Sequence, residues 1–430
     1  MRNLQVLILF LLCSSTSFGS CHARRVGQRR QTRRPGGGGR AGTMTRRLES
    51  PEDGQSANFN VLHFGAKGDG STYDTKGYHL AFEDAWTAAC KVPKSTVLLD
   101  GTIIAPASAG SWGSGSMQWL EFTKLTGGIV ISGKGMIDGR GSVWWGRSDD
   151  PTADSDAGSK MPGTKPTAVR FYGSSDVTVT GITIKNSPQC HLKFDSCVGV
   201  AVFDVTISSP GDSPNTDGIH LQNSQSVSIH GTNLACGDDC ISIQTGCRDV
   251  TIRNVQCGPG HGISIGGLGK DEAKACVSNI TVRDSVMQNT LNGVRIKTWQ
   301  GGSGSVQGVL FSNIQVSDVE YPIIIDQFYC DGSHCKNQTG AVSLSNIHYE
   351  KITGTYSVEP VRFACSDASP CMGVTLAGIQ LKAQQDGHPL SDPYCWQVYG
   401  QLLTPSIPQI SCLQAGQPLG RHGSSEGNSC

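Results

Sequence analysis

Short runs of alternating apolar and polar residues recur along most of the chain, and each closes on Gly, Asn or Asp. Examples are Val177-Thr178-Val179-Thr180-Gly181, Val200-Ala201-Val202-Phe203-Asp204 and Val227-Ser228-Ile229-His230-Gly231. The series continues with runs closing on Asn254, Asp284, Asn313, Asn346 and Gly378, and an earlier copy closes on Gly133. From Gly181 onward the closing residues are separated by 23, 27, 23, 30, 29, 33 and 32 positions. Period-2 alternation predicts strands with one buried face, and the closing residues predict turns that need permissive φ. Self-similarity at this period is the mark of a solenoid. Several short strands per period, with almost no helical periodicity, predict an all-β fold, a right-handed parallel β-helix. Propeller blades need a longer, more regular period, and a β-sandwich gives no in-phase repeat. One helical pattern stands apart: Asp74 or Thr75 can cap a helix with Tyr78, Phe82, Ala85 and Ala89 on one face. It is read as an N-terminal capping helix over 74–90, covering the open strand edge of the first coil.

Four polar words sit on this repeat: Asn215-Thr216-Asp217, Gly237-Asp238-Asp239, Gly260-His261-Gly262 and Arg295-Ile296-Lys297. Asp217 to Asp239 and Asp239 to His261 are each 22 residues; His261 to Arg295 is 34, a gap holding the Gly/Lys/Asp-rich stretch Gly266–Lys274, read as a loop. With coils of about 22 residues stacked about 4.8 Å apart, the words return to one face. Carboxylates packed this closely cannot all ionise easily, so at least one pKa should rise. A protonated carboxyl beside an ionised one is the pair that glycoside hydrolysis uses. In such a stack His261 is expected to bond a carboxylate and help set its protonation. Arg295 and Lys297, two apart on one strand, share a face and suit the carboxylate of an acidic sugar. Tyr329 is a candidate sugar platform. For any single Asp, the ordinary role of capping a turn is the better reading; the stack is what overrides it. A calcium site of lyase type is the rival chemistry, but two cations in the same stack oppose a divalent ion.

Charge is unevenly spread. The chain holds 35 basic and 35 acidic residues, but residues 1–47 carry 10 of the basic and none of the acidic ones. Residues 48–430 are therefore 25 basic against 35 acidic, a balance of −10. A polyanionic ligand must then be held by placed cations rather than by a general positive field. At the start, Arg2, the apolar run Leu4–Cys13 and the small/polar stretch Ser14–Ala23 read as a secretory signal over 1–23, too short to anchor in a membrane. Residues 24–55 read as an Arg/Gly-rich linker or pro-segment, 56–412 as the catalytic β-helix and 413–430 as a tail. Seventeen cysteines suit an oxidising compartment. Cys190/Cys197, Cys330/Cys335 and Cys365/Cys371 are spaced as local staples, and a Cys240–Cys257 bridge would stiffen the site. No CxxC pair points to zinc. Sequons at Asn279 and Asn337 allow N-glycans.

At the four words the chain resembles the polygalacturonases of the pectin-degrading glycoside hydrolase family, plant members most of all. The resemblance spans nearly all of 58–412. It includes Asn60-Val61, Phe64-Gly65-Ala66-Lys67-Gly68-Asp69-Gly70, Asp138-Gly139-Arg140-Gly141 with Trp144-Trp145, and Asn186-Ser187-Pro188. It implies a secreted, cell-wall enzyme that cleaves α-1,4-galacturonosyl bonds of pectin with inversion, needing no cofactor or metal. It implies Asp238 as general acid, Asp217 and Asp239 activating water, His261 supporting the acid, and Arg295 and Lys297 holding substrate carboxylates. Asn215 and Tyr329 are expected among the substrate-binding residues. Homogalacturonan is the expected partner, with no nucleic acid, no membrane after signal cleavage and a monomeric state. One tension accompanies this: carboxylates on adjacent coils, about 5 Å apart, match the general spacing of retaining enzymes. The Gly146–Lys165 loop and the Arg-rich leader depart from the family pattern.

Overall fold

A computed structural model of the chain describes residues 95–105, 112, 115, 117–145, 163–331, 335–384, 390–418 and 430, with backbone strands also at 3–5, 9–14, 20–24 and 57–58. The expected helix over 74–90 lies outside these residues.

The chain winds as a parallel β-helix. Every strand pairing within residues 95–402 is parallel, and the strands assemble into one sheet of 20 and one of 12. A coil such as Leu192–Asp195, Val198–Phe203 and Thr206–Ser208 gives one strand to the smaller sheet and two to the larger. Because side chains alternate in and out, one register position becomes one file through the interior. Val177, Val200, Val227, Val250, Ile280, Val309, Ile347 and Val374 form such a file. Each is at most 2% exposed, and each such burial is worth about 1.5–3 kcal/mol. Phe122, Phe171 and Phe194 stack in another, with ring centroids 4.8 and 5.3 Å apart.

The run-closing residues all have positive φ, between 52° and 75° from Gly181 to Gly378. Gly181, Asp204, Gly231, Asn254, Asp284 and Asn313 follow one another strand by strand, and Asn313 donates to the Asp284 carboxylate at 2.7 Å. Asn346 does not continue this file; Lys351 does (φ 51°), followed by Gly378. Asn346 belongs to a second file, five residues upstream, through Asp176, Gly199, Ser226, Asp249, Asn279 and Gly308. Both ends of the central strands therefore turn through the left-handed region that Asn, Asp and Gly tolerate best.

Five disulfides join described residues: Cys240–Cys257, Cys276–Cys430, Cys330–Cys335, Cys365–Cys371 and Cys395–Cys412. Cys190 and Cys197 are not a staple; both are free and buried. The strand Leu192–Asp195 lies between them, and an extended chain spends about 3.3 Å per residue, which puts seven positions far beyond disulfide reach. Cys330/Cys335 and Cys365/Cys371 are bridged, and in the second pair bends rather than a strand separate the cysteines.

Candidate active site

The outer face of the smaller sheet carries the polar words. The strands Ile219–Gln222, Ile241–Ile243 and Ile263–Leu268 pair in parallel with 22-residue offsets. Backbone bonds extend the ladder upstream, Gly218 N–H to Asp239 O and Cys240 N–H to Gly262 O. Asp217, Asp239 and His261 consequently occupy one register position on successive coils, as their spacing predicts. On the following coil the Asn292 amide donates to the His261 carbonyl at 3.0 Å. Arg295 does not share that register position: it pairs with Ser264, three positions further along the strand, and Lys297 pairs with Gly266. The 34-residue gap is thus a 31-residue coil plus three residues of strand. Long side chains make up the difference by reaching back.

What they reach is Asp239, only 2% exposed. Its Oδ1 accepts from Arg295 Nη2 at 2.8 Å and from Ser264 Oγ at 2.7 Å, and its Oδ2 accepts from Lys297 Nζ at 2.8 Å. Arg295 Nε also donates to Ser264 Oγ at 3.0 Å, which closes the knot. The two cations expected to await a substrate carboxylate are therefore already committed to a carboxylate of the chain. Lys297 lies over the Tyr329 ring, 5.1 Å from its centroid, and Tyr329 meets Trp299 edge-on at 5.4 Å.

Asp238 faces the other way from the same turn. Its Oδ1 lies 3.2 Å from His261 Nδ1 and caps the Asp239 N–H at 2.8 Å, while Oδ2 accepts from the Asn215 amide at 3.3 Å. Asp217 Oδ2 lies 3.2 Å from His220 Nδ1. His261 is held between two glycines for a steric reason at Gly262, where φ is +83° and a Cβ would stand 2.1 Å from the Asn292 carbonyl oxygen. The Cys240–Cys257 bridge closes across a single coil, joining the start of its small-sheet strand beside Asp239 to the end of its last large-sheet strand.

The electrostatics separate the carboxylates. Burial pushes the Asp217 carboxyl up; the bond with His220 opposes this and the neighbouring Asp238 charge adds to it. Burial alone would raise Asp238 as well, but the His261 hydrogen bond and the charges of His261 and Lys297 outweigh it and hold Asp238 at about 2. One carboxyl is raised, as crowding requires, and it is Asp217, not Asp238. Asp238, Asp239 and His261 also bring three ligand-type atoms within 4.8 Å of one another, but both Asp239 oxygens are bonded to cations. That donor set suits hydrogen bonding better than a divalent ion.

A model of glycosyl hydrolases family 28 matches residues 76–392. The chain belongs to that family. A probable polygalacturonase of Arabidopsis thaliana is 39% identical over 370 residues, covering 79% of this chain and 81% of the relative. Polygalacturonase-2 of Solanum lycopersicum is 39% identical over 386 residues, covering 83% and 82%. Among solved structures, a polygalacturonase from Erwinia carotovora superposes with a TM-score of 0.53 at 26% identity, over 69% of this chain and 83% of that one. An exopolygalacturonase from Thermotoga maritima reaches a TM-score of 0.62 over 79% and 93%; at 18% identity it speaks for the shared β-helix only.

In this family 28 chain, all eight residues singled out by sequence gather at one site: Asn215, Asp217, Asp238, Asp239, His261, Arg295, Lys297 and Tyr329. Sequence reasoning missed Ser264, His220 and Asn292. Ser264 and His220 stand at the same outward register position as Arg295, a relation visible only once the strand offsets are known.

Proposed function

We propose that this chain is a secreted polygalacturonase that hydrolyses α-1,4-galacturonosyl bonds of pectin, with inversion and without a metal. The observation that carries the reading is the pairing of an ionic knot with two differently tuned carboxyls. Arg295 and Lys297 supply fixed positive charge beside Asp238 and Asp217, a setting that suits a uronate rather than a neutral sugar. The names of the plant relatives point the same way.

Asp238 acts as the general acid in this reading, and Asp217, with Asp239 behind it, orients the water. Burial raises Asp217, while the His261 bond and nearby cations lower Asp238. A substrate carboxylate seated against Lys297 and Arg295 takes up part of their charge and so raises Asp238, which favours its acid form. Asp217 is oriented by His220. The coil-to-coil mate of Asp217 is Asp239, so Asp217 and Asp238 stand on a diagonal, and the separation that inversion needs is set by the directions of the two side chains.

The test is turnover of polygalacturonate at mildly acid pH with chelator present, alongside Asp238→Asn and Asp217→Asn. Both variants should lose activity, and wild type should keep it. On an α-galacturonosyl fluoride, whose leaving group needs little protonation, Asp238→Asn should recover and Asp217→Asn should not. Recovery of Asp217→Asn instead would exchange the two roles. Proton NMR of the first product should show the β-anomer; initial α-anomer would refute inversion. Activity abolished by chelator, with unsaturated products, would replace hydrolysis with metal-dependent elimination.

A further inference from the structure

The outward position occupied by Arg295 can be followed back along the smaller sheet without a break. Arg295 pairs with Ser264, Ser264 with Ser242, Ser242 with His220, His220 with Lys193 and Lys193 with Arg170. The serines floor the catalytic centre. Lys193 therefore stands two strands to one side of Ser242 and Arg295 two strands to the other, about 10 Å each way at the interstrand spacing.

The cations on this file differ in whether their charge is free. Arg170 is spent: Nη1 bonds Glu121 at 2.7 Å and Nη2 bonds Asp195 at 2.5 Å. That fork shares its single charge between Glu121 and Asp195, the latter on the outward face of the Lys193 strand two residues on. The Lys193 side chain is half-buried and, among the described residues, makes no hydrogen bond or ion pair. Among the described residues no carboxylate holds this ammonium, on a body whose charge balance is −10.

We propose that Lys193 is a substrate-binding residue, which takes the carboxylate of a galacturonosyl unit beyond the catalytic centre on the N-terminal side of the cleft. The inference rests on the polygalacturonate reading above. One strand spacing matches the length of about one pyranose unit, so a chain lying along the solenoid axis places successive carboxylates over successive strands. Arg170, locked by Glu121 and Asp195, marks where the cationic track ends.

Hexagalacturonate binding by titration calorimetry to the inactive Asp238→Asn chain tests this directly. Adding Lys193→Gln should weaken Kd about fivefold at low salt, as suits a half-exposed charge pair, and the gap should close at high salt. Lys193→Arg should restore it. In the otherwise unaltered chain, Lys193→Gln should raise KM for the hexamer with kcat unchanged, and should leave digalacturonate affinity unmoved. Equal hexamer Kd and KM for Lys193→Gln and its parent, with wild type turning over polygalacturonate, would overturn this inference alone. No binding and no turnover by wild type would overturn it together with the functional reading.

Discussion

Replacing Lys297 by Met would remove one charge from the Asp239 knot while keeping most of the side-chain stem. The Lys297 side chain is 8% exposed and Asp239 2%, with Nζ at 2.8 Å from Oδ2. Breaking a buried ion pair from one side costs about 3–5 kcal/mol, because the other charge stays buried. Arg295 and Ser264 continue to serve Oδ1, so the low end applies, about 3 kcal/mol. Urea unfolding followed by circular dichroism at neutral pH measures it. The double variant Lys297→Met/Asp239→Asn removes the stranded charge too, and should recover about 2 kcal/mol relative to the sum of the single changes. Turnover should fall about 100-fold in Lys297→Met, since a placed cation at the reacting centre is lost. A single variant within about 0.5 kcal/mol of wild type, with no coupling in the cycle, would refute the knot as an energetic unit.

Four further outcomes follow from the structure. The Asp238 carboxyl is depressed from 3.8 to about 2, so it stabilises the fold above the unfolded pKa and loses that contribution as pH falls from about 4 towards 2. The amount is about 2 kcal/mol, and Asp238→Asn should flatten this part of the pH–stability curve. Asp217 is raised, so its sign is opposite: the fold gains relative to the unfolded chain as this group protonates, and Asp217→Asn should be more stable than wild type at neutral pH. Cys257→Ala should cost about 3 kcal/mol, as expected for opening a loop of 17 residues, and should lower kcat because the bridge backs the Asp239 turn. Phe171→Ala, at the middle of the aromatic file, should cost about 3–5 kcal/mol in unfolding with the kinetic constants unchanged.

Much of the fold was legible because a solenoid writes its period into the chain. Every run-closing residue does turn at positive φ, the region that Gly, Asn and Asp tolerate best. Asn346 was assigned to the wrong turn file because the two files carry the same residue types five positions apart, and Lys351, the true occupant, is not a turn former by composition. The Asp217–Asp239–His261 ladder was readable because both of its coils have the same length. Arg295 was not placed so well: a longer coil and a three-residue offset along the strand sum to one number, and sequence spacing cannot divide them. The distribution of charge was the least legible part. That Lys297 and Arg295 bind Asp239, and that His261 depresses Asp238 while burial raises Asp217, depends on which way each side chain leaves its turn. Cys190 and Cys197 show the same limit, since seven residues close a loop but hold two thiols apart in a strand.

The loop expected over Gly266–Lys274 narrows to Gly269–Ala273, since Gly266–Leu268 and Lys274 belong to strands; this coil is nine residues longer than the two before it, yet Ile263 still stacks on Val294. The catalytic floor and the rim above it are thus independent in length. A rim segment at this position can be lengthened, shortened or exchanged while the carboxylates beneath keep their mutual positions. Differences in how such chains grip or release a polymer can arise by editing these outward excursions, with the reacting groups inherited unchanged.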